Sequence, residues 1–173
     1  MPHGPSPRVK ELIAALRLQP HPEGGLFAEI YRDPDWVKHP RTGAMRPMFT
    51  LIHFLLPAGT FSALHRVAQA EAWHHLEGDP VEIHTITPAG EHTVQLLGKN
   101  VAAGEKPQFV VRAGLWQATV PRGDSYALVG CTVSPGFEFA DFEMPTREAL
   151  LAAFPAHAEL VKKLTHDAEP PST

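Results

Sequence analysis

Apolar residues follow two patterns along this chain. At both ends they recur every three or four positions, while through the long middle they come in short runs broken by glycine and proline. Near the start, Val9, Leu12, Ile13 and Leu16 make one stripe behind Ser6, a capping residue, and Pro7, which suits the first helical position. Towards the end, Thr146 precedes Leu150, Leu151 and Phe154. Pro155 then stops the pattern, and Leu160, Val161 and Leu164 predict a further turn or two. Helices are therefore expected at both ends.

Between them the pattern predicts strands over 26–31, 48–56, 61–67, 71–76, 81–87, 92–97, 108–111, 117–120, 126–133 and 139–143. Turn residues at 57–59, 78–80, 88–90, Gly104, Gly114 and 121–123 separate most of these runs. A parallel α/β sheet needs a helix after each strand, and none is predicted here. The reading is an all-β barrel or sandwich with helical ends.

Composition narrows the function classes. A chain of 173 residues is about one domain long and can bury roughly 70% of the surface it exposes unfolded. Hydrophobic residues make up 43% and charged ones 20%, which suits a globular domain and neither a disordered chain nor a coiled coil. The division expected is an extension over 1–7, a single domain over 8–164 and a flexible polar tail over 165–173. With 15 basic against 19 acidic residues, net charge −4 and no basic cluster longer than Lys162–Lys163, nucleic acid is not an expected partner. The apolar runs are too short to cross a bilayer, the first ten residues hold no apolar signal segment, and the lone Cys131 has no internal disulfide partner. A cytoplasmic protein without membrane association is expected.

Strand alternation names the residues a barrel interior would hold. If His65 points inward, Ala63 and Val67 share its face, and Glu71, Trp73 and His75 line the same space from the next strand. Gln117, just past the Gly114 turn, reaches the same cavity, and Tyr126 offers a phenol at its mouth. Each has a plainer reading. His65 is also read as a buried histidine satisfied by a neighbour, and Trp73 as core. His74 and His75 face opposite ways, so only one can line the pocket. His84 and His92 read as surface strand residues, Cys131 as a small buried hydrophobe, and Gly24 and Gly25 as turn formers. Arg66 is expected to anchor an ion pair with Glu23. Phe27, Glu29 and Tyr31 form either a pocket wall or a contact with a second copy.

The spacing Gly59, His65, Val67, Glu71, Gly78 resembles the first cupin motif apart from its second histidine. The run Gly104, Gly114, Gln117 resembles a degenerate second motif, with Arg112 where proline is usual and Gln117 where histidine is usual. Together with HPEGG at 21–25, HRVAQAEAWHHLEG, GLWQATVP and ALVGCTVSPGFEFADFE, the chain resembles cupin superfamily 5 over roughly residues 8 to 155. The resemblance implies a double-stranded β-helix, or jelly-roll barrel, commonly a homodimer.

Metal-dependent cupins take two histidines and a glutamate from the first motif and a third histidine from the second. Here only His65 and Glu71 remain, short of the three good ligands a first-row metal needs. No cofactor is expected, unless His53 or His75 supplies the missing imidazole to a divalent metal. The preferred reading is a small polar ligand, such as a sugar, nucleotide sugar or organic acid. It would lie among Trp73, His75, Gln117, Tyr126 and His53, with His65 as general base oriented by Glu71 in a metal-free epimerase or isomerase. A non-catalytic binding or sensing module and a metal-dependent oxygenase or isomerase are the alternatives.

Overall fold

The computed structural model describes residues 6–167. Helix α1 (Pro7–Leu16) leads into strands β1 (Gln19–Pro20), β2 (Leu26–Arg32), β3 (Trp36–Lys38), β4 (Met45–Pro47), β5 (Thr50–Pro57), β6 (Ser62–Val67) and β7 (Ala70–Gly78). These are followed by β8 (Val81–Ile86), β9 (His92–Leu97), β10 (Gln108–Val111), β11 (Trp116–Pro121), β12 (Tyr126–Ser134) and β13 (Phe142–Glu143), then helices α2 (Arg147–Ala153) and α3 (Ala158–Lys163). No helix among the described residues is long and apolar enough to cross a membrane.

Two antiparallel sheets face one another. The larger runs β1-β2-β5-β12-β7-β10, the smaller β13-β6-β11-β8-β9, and β3 and β4 form a separate hairpin. The inner faces pack Phe54, Leu56, Trp73, Ile83, Val129 and Cys131 into one cluster. Alternation leaves the other face of each sheet apolar as well, and the terminal helices cover both. On the larger sheet, Val9 and Leu12 of α1 lie on Leu55, Tyr126 and Leu128. On the smaller, Leu150, Phe154, Val161 and Leu164 lie on Leu64, Ile86, Trp116 and Ala118. Both helices start as expected: the Ser6 hydroxyl accepts from the Val9 amide, and Thr146 caps Ala149 in the same way. Such a cap contributes about 1 kcal/mol.

Three expectations are corrected. Residues 139–143 read as one strand but divide into a 3-10 turn, Phe139–Asp141, and the two-residue β13. The β3–β4 hairpin has no counterpart in the predicted strands, because its strands are three residues long and largely exposed, so no buried face imposes an alternation. Thr165 does not belong to a loose tail: it is buried, and Arg147 binds both its hydroxyl and its carbonyl oxygen. Residues 168–173 of that expected tail lie outside the described residues.

Candidate functional site

One end of the barrel interior opens into a cavity of about 80 Å3. His65 and Val67 reach it from β6, Glu71 from β7, Cys131 from β12, and Phe27 and Glu29 from β2. The sequence reading placed His65 and Glu71 in a common chamber, and both line this one, 2% and 9% exposed respectively.

The direct partner of His65 is a residue that sequence reasoning missed. His65 Nδ1 lies 2.7 Å from the carbonyl oxygen of Ala63, and because a carbonyl only accepts, Nδ1 carries the proton. Nε2 then faces Glu23 Oε2 at 3.3 Å. The two atoms are within ion-pair distance. Burial pushes His65 below the ordinary imidazole range and Glu23 above the ordinary carboxylate range, which favours the uncharged pair. The Ser62 hydroxyl donates to Glu23 Oε1 at 3.0 Å, and His21, also driven downward by burial, lies 3.7 Å from Oε2.

Glu23 arrives through the HPEGG turn between β1 and β2. Its carbonyl accepts from the Ala63 amide, 2.8 Å away, which ties the turn to the start of β6. Gly24 follows at φ +108°, and a Cβ there would lie 2.2 Å from the Phe61 carbonyl oxygen. Only glycine allows that approach, and the approach carries the preceding carboxyl into the barrel. A carboxylate directly before a glycine pair was the available signal. The expected Arg66–Glu23 pair is corrected accordingly: Arg66 points outward, bonds Glu143 at 2.7 Å and lies over Trp116.

Glu71 is held from the opposite sheet. Gln117 Nε2 donates to Glu71 Oε2 at 2.6 Å, and Gln117 Oε1 accepts from Trp73 Nε1 at 3.2 Å. This chain crosses the barrel interior and fixes the amide's orientation. Burial pushes the Glu71 carboxyl up to about 7, aided by the neighbouring Glu23 and opposed by His65.

A stability prediction follows from that raised value. The folded state keeps the Glu71 proton up to about pH 7, whereas the unfolded chain releases it near 4.5, so wild-type stability falls as pH rises through this window. Glu71→Gln removes the slope. Its stability relative to wild type should rise by about 3 kcal/mol between pH 4.5 and pH 8, measured by urea denaturation across pH. A constant difference would show that Glu71 does not titrate as described.

The remaining predicted residues do not meet in the cavity. Trp73 and Gln117 stand behind Glu71 as its support and do not line the pocket wall. His53 lies between Ile52 and Phe54, which line the pocket, so alternation turns it to the outer face, where Gly130 and Ala28 are its cross-strand neighbours. Neither His74 nor His75 enters: His74 bonds Thr132, and His75 Nε2 donates to the Asp79 carbonyl at 2.9 Å. The Tyr126 hydroxyl donates to Glu77, which Arg8 also binds, under α1 and away from the cavity. Of the first strand, Phe27 and Glu29 form pocket wall, while Tyr31 stacks on Phe49 outside it. His84 is not a surface residue: it is buried and bonded to His92, 3.0 Å away.

The donors at the motif positions do not fit a resident metal. Val67 presents only methyl groups where a second histidine is usual, and both ends of the Gln117 amide are already engaged. His53 and His75, the candidate replacements, point elsewhere.

The profile of the cupin superfamily (DUF985) matches residues 10–145. A protein from Shewanella oneidensis of known structure is 40% identical, covers 92% of this chain and 98% of its own, and superposes with a TM-score of 0.85. A hypothetical protein from Leishmania major is 31% identical over 91% of this chain and 98% of its own, with a TM-score of 0.87. A cupin 2 conserved barrel domain protein from Rhodopseudomonas palustris, 13% identical over 83% of this chain and 80% of its own, shares the fold at a TM-score of 0.55. No curated protein matches the chain. The jelly-roll barrel, the modified first motif and the profile match over most of its length agree: the chain belongs to the cupin superfamily, in the DUF985 family.

Proposed function

We propose that the cavity binds a small metabolite and moves a proton at a carbon next to a carbonyl group, without a metal, as an epimerase or isomerase does. The observation that carries this reading is the presence in one chamber of two separately held acid-base units, the buried Glu23–His65 pair, 3.3 Å apart, and Glu71 with its raised pKa. A carboxyl whose proton affinity is raised into the neutral range is suited to take up and return a proton near pH 7.

Glu71, close to half ionised at neutral pH and oriented by Gln117, accepts the proton from carbon. The Glu23–His65 pair supplies a proton to the carbonyl oxygen, and the Nδ1–H bond to Ala63 fixes the His65 ring with Nε2 towards Glu23. The sequence reading cast His65 as the base oriented by Glu71. The contacts support the reverse assignment, since Glu23 is the carboxyl nearest His65 Nε2 and Glu71 is bonded to Gln117.

The test needs no known product. The protein is incubated in D2O with a panel of small aldoses, ketoses and simple ketones, and proton NMR follows the C–H signals next to each carbonyl. Enzyme-dependent loss of one such signal is the expected result. If no compound exchanges faster than in buffer alone, the proton-transfer reading is overturned, and a non-catalytic binding role takes its place.

A further inference from the structure

The walls of the same cavity carry information about charge. Among the described residues Arg32 is the one lysine or arginine in its lining, against four carboxyl groups, Glu23, Glu29, Glu71 and Glu138. Its guanidinium is already committed. Nε and NH2 bond the two oxygens of Glu29 at 2.8 and 2.9 Å, NH1 bonds Glu138 at 2.6 Å, and NH2 also reaches the Phe137 carbonyl at 3.2 Å. A phosphate or carboxylate entering this mouth meets no free cation and faces carboxyl groups at the rim and in the interior. At the rim the two carboxylates of Glu29 and Glu138 outnumber the single guanidinium of Arg32, and Glu71 adds a further negative charge as it ionises, so an incoming anion is repelled.

The remaining wall is largely apolar. Phe27 and Phe139 lie 4.6 and 6.0 Å from the His21 ring, and Phe142 stacks on His65 at 5.3 Å. Phe54, Ile52 and Val133 complete it. At about 80 Å3 the chamber is well below the roughly 300–1,000 Å3 of pockets that enclose drug-sized ligands.

We propose that this pocket selects small molecules with a compact apolar body and no anionic group, neutral or cationic, and rejects phosphorylated and carboxylate ligands. Of the ligand classes the sequence suggested, sugars, nucleotide sugars and organic acids, this removes the nucleotide sugars and the organic acids. The inference rests on the reading that this cavity is the binding site, and it is independent of whether a proton moves there.

The test uses one carbon skeleton in three charge states: isobutyrate, isobutyramide and isobutyramidine, each titrated into the protein and followed by NMR chemical-shift changes of cavity residues. The amide and the amidine should bind, with isobutyrate at least ~10-fold weaker, a difference of about 1.4 kcal/mol. In the double variant Glu29→Gln, Glu138→Gln, Arg32 is released and the ratio of isobutyrate to isobutyramide affinity should rise at least ~10-fold. Isobutyrate binding wild type as tightly as the amide overturns the proposal, as does the absence of binding by all three up to about 10 mM. If the charge order holds but no compound exchanges deuterium, the proton-transfer reading fails and the selectivity stands. If exchange is seen only with anionic substrates, the selectivity fails and the proton transfer stands.

Discussion

His65→Gln should lower deuterium exchange of a responsive substrate by ~10²–10⁴-fold, the usual contribution of a positioned proton-transfer group. Glutamine keeps the polarity of the site and can still bond Ala63 or Glu23, so folding is not the expected casualty. What it lacks is a titratable ring nitrogen beside Glu23 Oε2, now 3.3 Å away. Glu71→Gln should reduce exchange through the other end of the transfer and also change its pH dependence. Glu71 must be ionised to accept a proton, so the wild-type rate should climb as pH passes about 7, and the variant should lose that limb. A His65→Gln protein, folded by circular dichroism, that exchanges at the wild-type rate would remove this pair from the mechanism.

Trp73→Ala should cost about 3–5 kcal/mol of stability, a fall in Tm on the order of 10 °C for a chain of this length. The side chain is 1% exposed and sits in the inner cluster against Phe54, the two rings 6.0 Å apart and edge to face. Truncation opens a void between the sheets and also removes the donor to Gln117 Oε1, leaving a buried amide oxygen without a partner. Trp73→Phe separates these effects. It refills most of the space and leaves the orphaned oxygen, so about 1–3 kcal/mol should be lost. The amide is then free to turn, and Glu71 loses a fixed donor. Thermal unfolding of both variants measures the difference, and a Trp73→Ala cost below about 1 kcal/mol would mean that the indole is not the packing element described.

Much of this architecture is written in local patterns. Alternation along β7, where Glu71, Trp73 and His75 are buried between more exposed neighbours, needs only the period-2 geometry of a strand with one face on the core. The Ser6–Pro7 start of α1 and the Thr146 start of α2 are decided within a single turn of chain. His65 and Glu71 could be placed in the barrel because they lie close together on adjacent strands within a recognisable spacing, and Val67 already marked the departure from the metal-binding pattern.

What only the tertiary structure decided depends on contacts between distant parts of the chain. Glu23 reaches His65 across 42 positions of sequence because Gly24 lets a turn lie against the chain entering β6, and alternation along β2 or β6 contains no trace of that. Gln117 was assigned to the ligand, yet the opposing sheet brings Trp73 and Glu71 to the two ends of its amide, and a buried amide is satisfied by whatever lies nearest. His53 and Tyr126 carry suitable chemistry on strands of the right sheet, but which face each shows, and which end of the barrel it occupies, follows from register and helix packing. Sequence alone pointed to a barrel and to His65 and Glu71 as candidates for its interior. The folded structure settled which carboxyl touches the imidazole and which is held by Gln117, because proton affinity in a buried site is set by neighbours that the linear order does not reveal.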